Sequence, residues 1–175
     1  FKEYCKTHNF NGIDYVYTLL TWNGSRVDMA TIEDNKNVIA QAKQFIDALH
    51  RDYPNAKVRI MGIQLPSLNG GTGANYGANG GYADTYGLVR GVFGLNLAYQ
   101  EFANREGYKD FVEFINVSGQ FDSENNMPAE LVRVNTRSTK TELRGTNGVH
   151  PTMEGYYQIA DVAYRQLVRD LLQNQ

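Results

Sequence analysis

The stretch VRIMGIQL, Val58 to Leu65, decides the fold. Apolar residues fill most of its positions instead of alternating with polar ones. That is the pattern of a strand buried on both faces, as in a parallel sheet with helices on either side. Upstream, IDYVYTLL from Ile13 to Leu20 is a β-branched and aromatic run bounded by Asn11-Gly12 and Asn23-Gly24, and reads as another buried strand. Between the two the period becomes helical. Thr31 and Asp34 make a capping-box-like start, and Val38, Ala42, Phe45, Leu49 and Tyr53 follow at helical spacing up to Pro54, so a helix is expected over 32–52.

Downstream of Pro66, SLNGGTGANYGANGGYADTYG takes a large share of the chain's 17 glycines and reads as a long loop. Such a loop is either a mobile insertion or a substrate-facing one, since Tyr and Asn on a glycine frame can stack on and hydrogen-bond to sugars. Leu88, Val92, Leu95, Tyr99 and Phe102 give a second helical stripe closed by Gly107, and FVEFINV from Phe111 to Val117 is a third strand candidate. Residues 118–146 are polar, with no strong period beyond a short turn at PAELVRV. Thr152 can cap a last helix whose inner face is expected to carry Tyr156, Ile159, Ala163, Leu167 and Leu171. There is no internal repeat. Strands alternating with helices predict an α/β fold with a parallel central sheet and right-handed crossovers.

The bulk numbers narrow the function classes. A chain of 175 residues suits one domain with a real core, and 42% hydrophobic with 21% charged residues is ordinary for a globular protein. A net charge of −2 gives no footprint for nucleic acid or an anionic membrane surface, and no apolar run is long enough to span a bilayer. Cys5, the single cysteine, cannot form an internal disulfide and lies in no zinc-type spacing. No metal or organic cofactor is implied. The N-terminal FKEYCKTHNF has no apolar signal-peptide core, and the initial Phe leads us to expect processing or a longer parent polypeptide.

In open parallel sheets the site lies beyond the carboxyl ends of the strands. The informative segments are therefore Thr21 to Gly24, Pro66-Ser67 onward, Asn116 to Asp122, and the loop GTNGVHPTMEGY at 145–156 that carries His150. A His-Pro pair can simply close a turn, and an Asn after a strand can simply end it. Brought to one edge, however, a histidine serves as general base and an asparagine amide as oxyanion donor. Ser25, Ser67, Ser118, Ser123 and Ser138 lack a nucleophile-elbow frame. Asp122, just beyond the third strand, reads first as a solvated loop acid, with orientation of His150 as its functional alternative. His50 suits the end of a helix dipole, and His8 has no partner readable from sequence. Asn23-Gly24-Ser25 and Asn116-Val117-Ser118 match the glycosylation pattern, which chance supplies easily.

Taken together, NGVHPTMEGY resembles the fifth conserved block of the SGNH (GDSL-like) hydrolases, Asp-x-x-His-Pro followed by Gly-Tyr, and LLTWNG resembles their third block, Gly-x-Asn-Asp. The order of strands and helices is similar to the second half of that family's flavodoxin-like, three-layer fold. The resemblance implies that residues 1–175 are the C-terminal part of an SGNH hydrolase domain, with N-terminal strands missing or on another chain. It implies His150 as catalytic base, Asn23 in the oxyanion hole and Asn147 at the position of the family's triad Asp. The chain departs from the pattern in four places. The Gly-Asp-Ser block with the nucleophile is absent, as is the second block's glycine donor. Asn147 replaces Asp, and Thr21 and Gly24 flank Asn23 where Gly and Asp are usual.

The resulting expectation is a serine esterase, acting on a small-molecule or carbohydrate ester such as a sugar O-acetyl group, whose nucleophile comes from an N-terminal segment bearing Gly-Asp-Ser. That segment is expected to cover the otherwise open edge of the 13–20 strand. The alternative is a non-catalytic SGNH-like module that binds glycans or serves structurally, which the neutral Asn147 favours.

Overall fold

The computed structural model describes residues 1–19, 28–73 and 83–173. Asn23 and residues 74–82 of the glycine-rich loop lie outside them. Three strands, β1 (Tyr15–Leu19), β2 (Lys57–Met61) and β3 (Val112–Ile115), form a parallel sheet in the order β1-β2-β3, with Tyr15 opposite Lys57 and Val58 opposite Val112. The α/β class with a parallel sheet expected from VRIMGIQL is what the fold has. The strand itself is shorter than its apolar run. Gly62 N still donates to Ile115 O at 2.8 Å, and from Ile63 the sheet partner is replaced by a side chain: buried Asn96 accepts from Ile63 N at 2.9 Å and donates to Ile63 O at 2.9 Å.

Alternate strand residues point to opposite faces, and helices cover both. On one face Val16, Val58, Ile60 and Val112 pack against α2 (Lys36–Asp52) and α3 (Thr85–Ala103), in a core with Ile46, Leu95 and Phe102. On the other face Met61 and Ile115 pack with Ile159 and Val162 of α4 (Met153–Gln173), partly covered by Tyr17. The capping-box pair forms, but ahead of α2: it opens a 3-10 turn, Glu33–Asn35, so the helix expected over 32–52 is α-helical only from Lys36. In the pair, the Asp34 carboxylate accepts from Thr31 N (2.9 Å) and Thr31 Oγ1 (2.6 Å) while Asp34 N donates back to Thr31 Oγ1. Helix α3 is capped by Asp84, which accepts from Gly87 N at 2.8 Å, and all five residues of its expected stripe are buried.

Three further features differ from expectation. A short helix, α1 (Lys2–Thr7), precedes the sheet; at six residues it offers too little period to detect. The polar stretch after 118 contains an antiparallel hairpin, β4 (Ala129–Arg133) with β5 (Thr141–Gly145), pairing Leu131 with Leu143. Its side chains are mostly solvent-exposed on both faces, so no apolar alternation marks it. Finally, the inner face of α4 is turned by one residue: Gly155, Ile159, Val162, Gln166 and Asp170 are buried, whereas Tyr156, Leu167 and Leu171 are not.

The turned face has an electrostatic cause. Asp170, 1% exposed, receives the Arg59 guanidinium in two-pronged fashion, with Nη2 to Oδ1 at 2.7 Å and Nε to Oδ2 at 3.0 Å. It also accepts from Tyr17 Oη (2.6 Å) and Gln166 Nε2 (3.1 Å). Arg59 further faces Glu113, its cross-strand partner, at 3.5 Å. Burial alone would raise the Asp170 carboxyl, but Arg59 and the hydrogen bonds outweigh it and hold it below the usual carboxylate range. Burial and the neighbouring carboxylate push the Tyr17 phenol well above its ordinary value.

Candidate active site at the carboxyl edge of the sheet

The segment between β5 and α4 is fastened across the carboxyl end of β2 by a run of backbone bonds. Gly145 N donates to Asn69 O (2.8 Å), Thr146 N to Pro128 O (2.8 Å), Ser67 N to Gly148 O (3.0 Å) and Thr152 N to Asn126 O (3.0 Å). Gly148 must be glycine: a Cβ there would lie 2.0 Å from Thr72 Oγ1 and 2.4 Å from Thr72 N. The fastening ends in the last helix, where Thr152 Oγ1 accepts from Gly155 N at 3.4 Å, the capping role read from sequence.

Two side-chain amides complete the attachment. Gln64, buried just past β2, donates from Nε2 to Val149 O at 3.1 Å. Asn147 Oδ1 accepts from Val149 N at 3.0 Å and His150 N at 2.9 Å. His150 itself is exposed. The structure therefore brings His150 and Asn147 together at the sheet's carboxyl edge, with the Asn147 carbonyl engaged by main-chain amides. Asn23, the third candidate, falls outside the described residues, although β1, which leads to it, ends at the same edge.

The other candidates separate cleanly. Ser67, Ser118 and Ser123 are buried; Ser67 Oγ accepts from Asn69 N, and Ser118 Oγ sits between Asn96 and Asn116. Asn116 caps the turn after β3 through Gly119 N. The Asp122 carboxylate accepts from the amides of Glu124 and Asn125, and those bonds, Asn125 foremost, lower it below the usual range. His50 lies in the last turn of α2, stacked on Phe111 at 3.8 Å, and His8 packs on Tyr4. Gln64 is the site residue that sequence reasoning missed. Its signal was a polar side chain, the second after Arg59, inside the apolar run VRIMGIQL at a position expected to be strand.

A cavity of about 590 Å³ opens at the other end of the sheet, lined by Lys57, Arg59, Asn104, Glu113 and Asp170. Tyr15, Lys57 and Val112 begin the three strands there, so this cavity is opposite the His150 loop. Among the described residues no group of three His, Cys, Asp or Glu is placed to hold a metal ion, and no helix is long and apolar enough to cross a membrane.

The fold and edge define an α/β protein with a histidine-bearing loop at the carboxyl ends of parallel strands. No family model matches the chain, and no curated protein does. Among solved structures, the chain is similar to a protein from Streptococcus pneumonia provisionally described as a platelet activating factor, with 18% identity and a TM-score of 0.54. The match covers 89% of this chain and 60% of that one, so this chain spans less than two thirds of its neighbour's length. At that identity the likeness is one of fold.

Proposed function

We propose that the chain is the C-terminal part of an SGNH-type ester hydrolase domain, with His150 as general base, Asn23 as an oxyanion donor and the nucleophilic serine on a segment N-terminal to Phe1. The observation that carries the reading is the anchoring of the exposed His150 at the carboxyl edge, through Gln64 and Asn147, in a sheet whose β1 leads to Asn23. The SGNH resemblance supports it, and the likeness in fold to the structural neighbour is compatible with it.

Two surfaces support such a segment. Among the described residues β1 has a strand on one side only. Helix α4 has a second apolar stripe, Tyr156, Ala160, Tyr164, Leu167 and Leu171, with Tyr164 65% and Leu171 52% exposed. Arg165 and Arg169, on one flank of the helix, reach Gln120 and Glu113 on the β3 side. The stripe occupies the opposite flank, beside the open edge of β1. A further strand parallel to β1, followed by a helix against this stripe, satisfies both surfaces at once.

In the mechanism, neutral His150 removes the proton of the serine hydroxyl as Oγ bonds to the acyl carbon. Asn23 donates to the resulting oxyanion. The imidazolium returns its proton to the departing alcohol, and the C–O bond of the ester breaks. Water then attacks the acyl-enzyme, giving its proton to His150, which passes it to the serine Oγ as the acyl–Oγ bond breaks and the acid leaves. A carbohydrate O-acetyl ester is the substrate class suggested by the Tyr and Asn residues of the glycine-rich loop. The non-catalytic alternative finds support in Asn147, whose uncharged amide cannot stabilise an imidazolium by charge.

The test is hydrolysis of p-nitrophenyl acetate by the whole gene product and by its His150→Ala variant. The expected result is loss of activity with thermal stability little changed, since His150 is exposed. Unaltered hydrolysis in the variant removes His150 from the site. An inactive whole product whose upstream sequence lacks Gly-Asp-Ser establishes the binding-module alternative.

A further inference from the structure

One peptide group, that joining Val149 to His150, has both of its polar atoms held by side-chain amides. Its carbonyl oxygen accepts from Gln64 Nε2 at 3.1 Å, and its N–H donates to Asn147 Oδ1 at 2.9 Å. Gln64 is buried on the rigid exit of β2, so the carbonyl is tied to the sheet and not merely to the loop. On the far side of His150, Pro151 fixes its own φ and steers His150 away from helical backbone. A peptide plane clamped at both poles and followed by proline leaves the Cα–Cβ direction of His150 little freedom.

We infer that Gln64 and Asn147 form a peptide clamp that aims the His150 imidazole. Both are positioning residues, and Asn147 acts on the main chain before the histidine. The inference rests on the proposed role of His150 and adds two residues to it. It also accounts for an amide at 147: the clamp needs an acceptor there, which Asn supplies as well as Asp does. A carboxylate is not required for this task.

The clamp is testable without catalysis. In the whole gene product, Gln64→Leu removes the donor at nearly constant size, Asn147→Ala removes the acceptor, and Asn147→Asp keeps it. NMR follows the solvent exchange of the His150 amide and the imidazole Cε1–H resonance. Expected are about tenfold faster exchange of the His150 amide in Asn147→Ala and a displaced imidazole resonance in both Gln64→Leu and Asn147→Ala. Asn147→Asp should retain the protection of the parent chain, and the Ile60 amide in β2 should stay protected throughout. An unmoved imidazole resonance in Gln64→Leu overturns the clamp, as does an Asn147→Asp chain that behaves like Asn147→Ala. In the whole gene product with p-nitrophenyl acetate, Gln64→Leu should lower kcat by about tenfold to a hundredfold with KM nearly unchanged, because misaiming costs rate and not binding. A kcat equal to that of the parent also overturns it. If the parent has no esterase activity, the hydrolase reading fails, while the NMR result still decides the clamp.

Discussion

Replacing Asp170 by Asn changes almost no volume and removes one charge from the most enclosed ion pair among the described residues. The wild-type carboxylate accepts from both prongs of Arg59, from Tyr17 Oη and from Gln166 Nε2, with no part of its side chain exposed. An amide at 170 presents a donor to at least one of those donors and leaves the Arg59 guanidinium, 10% exposed, with Glu113 at 3.5 Å as its nearest remaining anion. Breaking a buried pair from one side typically costs about 3–5 kcal/mol. Glu113 is a third exposed and partly compensates, which places this variant at the lower end, about 3 kcal/mol.

Urea unfolding followed by circular dichroism reads that cost. With a slope of about 2 kcal/mol per molar for a domain of this size, the midpoint should fall by about 1.5 M. Acid adds a second signature. The folded carboxyl titrates below its unfolded value, so the folded state releases the Asp170 proton more readily and the pair contributes stability above about pH 4. That contribution is lost as pH falls through the depressed folded value, and the gap between wild type and Asp170→Asn should narrow there. A midpoint shift below about 0.5 M at neutral pH, or a gap that widens on acidification, would falsify the assignment of Asp170 as the ionised anchor of α4.

Gly148→Ala places a methyl against Thr72, whose main-chain N and Cα, unlike its Oγ1, cannot turn aside. The expected cost is about 2 kcal/mol, read as a fall of about 4–8 °C in Tm; a Tm within 1 °C of the parent means the His150 loop is held less closely than the contacts indicate. Leu167→Asp with Leu171→Asp tests the exposed stripe. In the 175-residue chain the pair should raise solubility with stability nearly unchanged, whereas in the whole gene product it should destabilise, as measured by urea unfolding. Equal, small effects in both would show that nothing packs on that flank.

The parts of the fold readable in sequence are those where packing and period coincide. VRIMGIQL announced the central strand because both of its faces are covered, IDYVYTLL announced its neighbour through β-branched and aromatic residues, and the stripe from Leu88 to Phe102 announced α3 because it packs into the apolar core. Thr31 with Asp34 was readable because a capping box is local chemistry. The β4–β5 hairpin was not, since Leu131 and Leu143 face solvent and the neighbouring Glu130, Glu142 and Arg144 disguise the alternation. In the site, His150 stood out through its Pro151 and Gly155 frame. Gln64 did not, because its role depends on a loop 85 residues away.

The phase of α4 follows a different rule, and it links the buried network to the open edge. Judged by hydrophobicity, the helix offers two stripes one residue apart. One runs through Tyr156, Leu167 and Leu171, and the other through Gly155, Val162, Gln166 and Asp170. The sheet selects the second although it is the more polar, because Arg59 enters that face from the central strand and has no other fully buried carboxylate to meet. An unpaired guanidinium there would cost more than the apolar area lost by rotating the helix about 100°. The rotation turns the first stripe toward the free side of β1 instead of into the core. An apolar flank left beside an unpaired strand is a surface that folded chains keep covered. Arg59 and Asp170 thus do more than join α4 to the sheet: they aim its remaining apolar residues at the place where the nucleophile-bearing segment is proposed to pack.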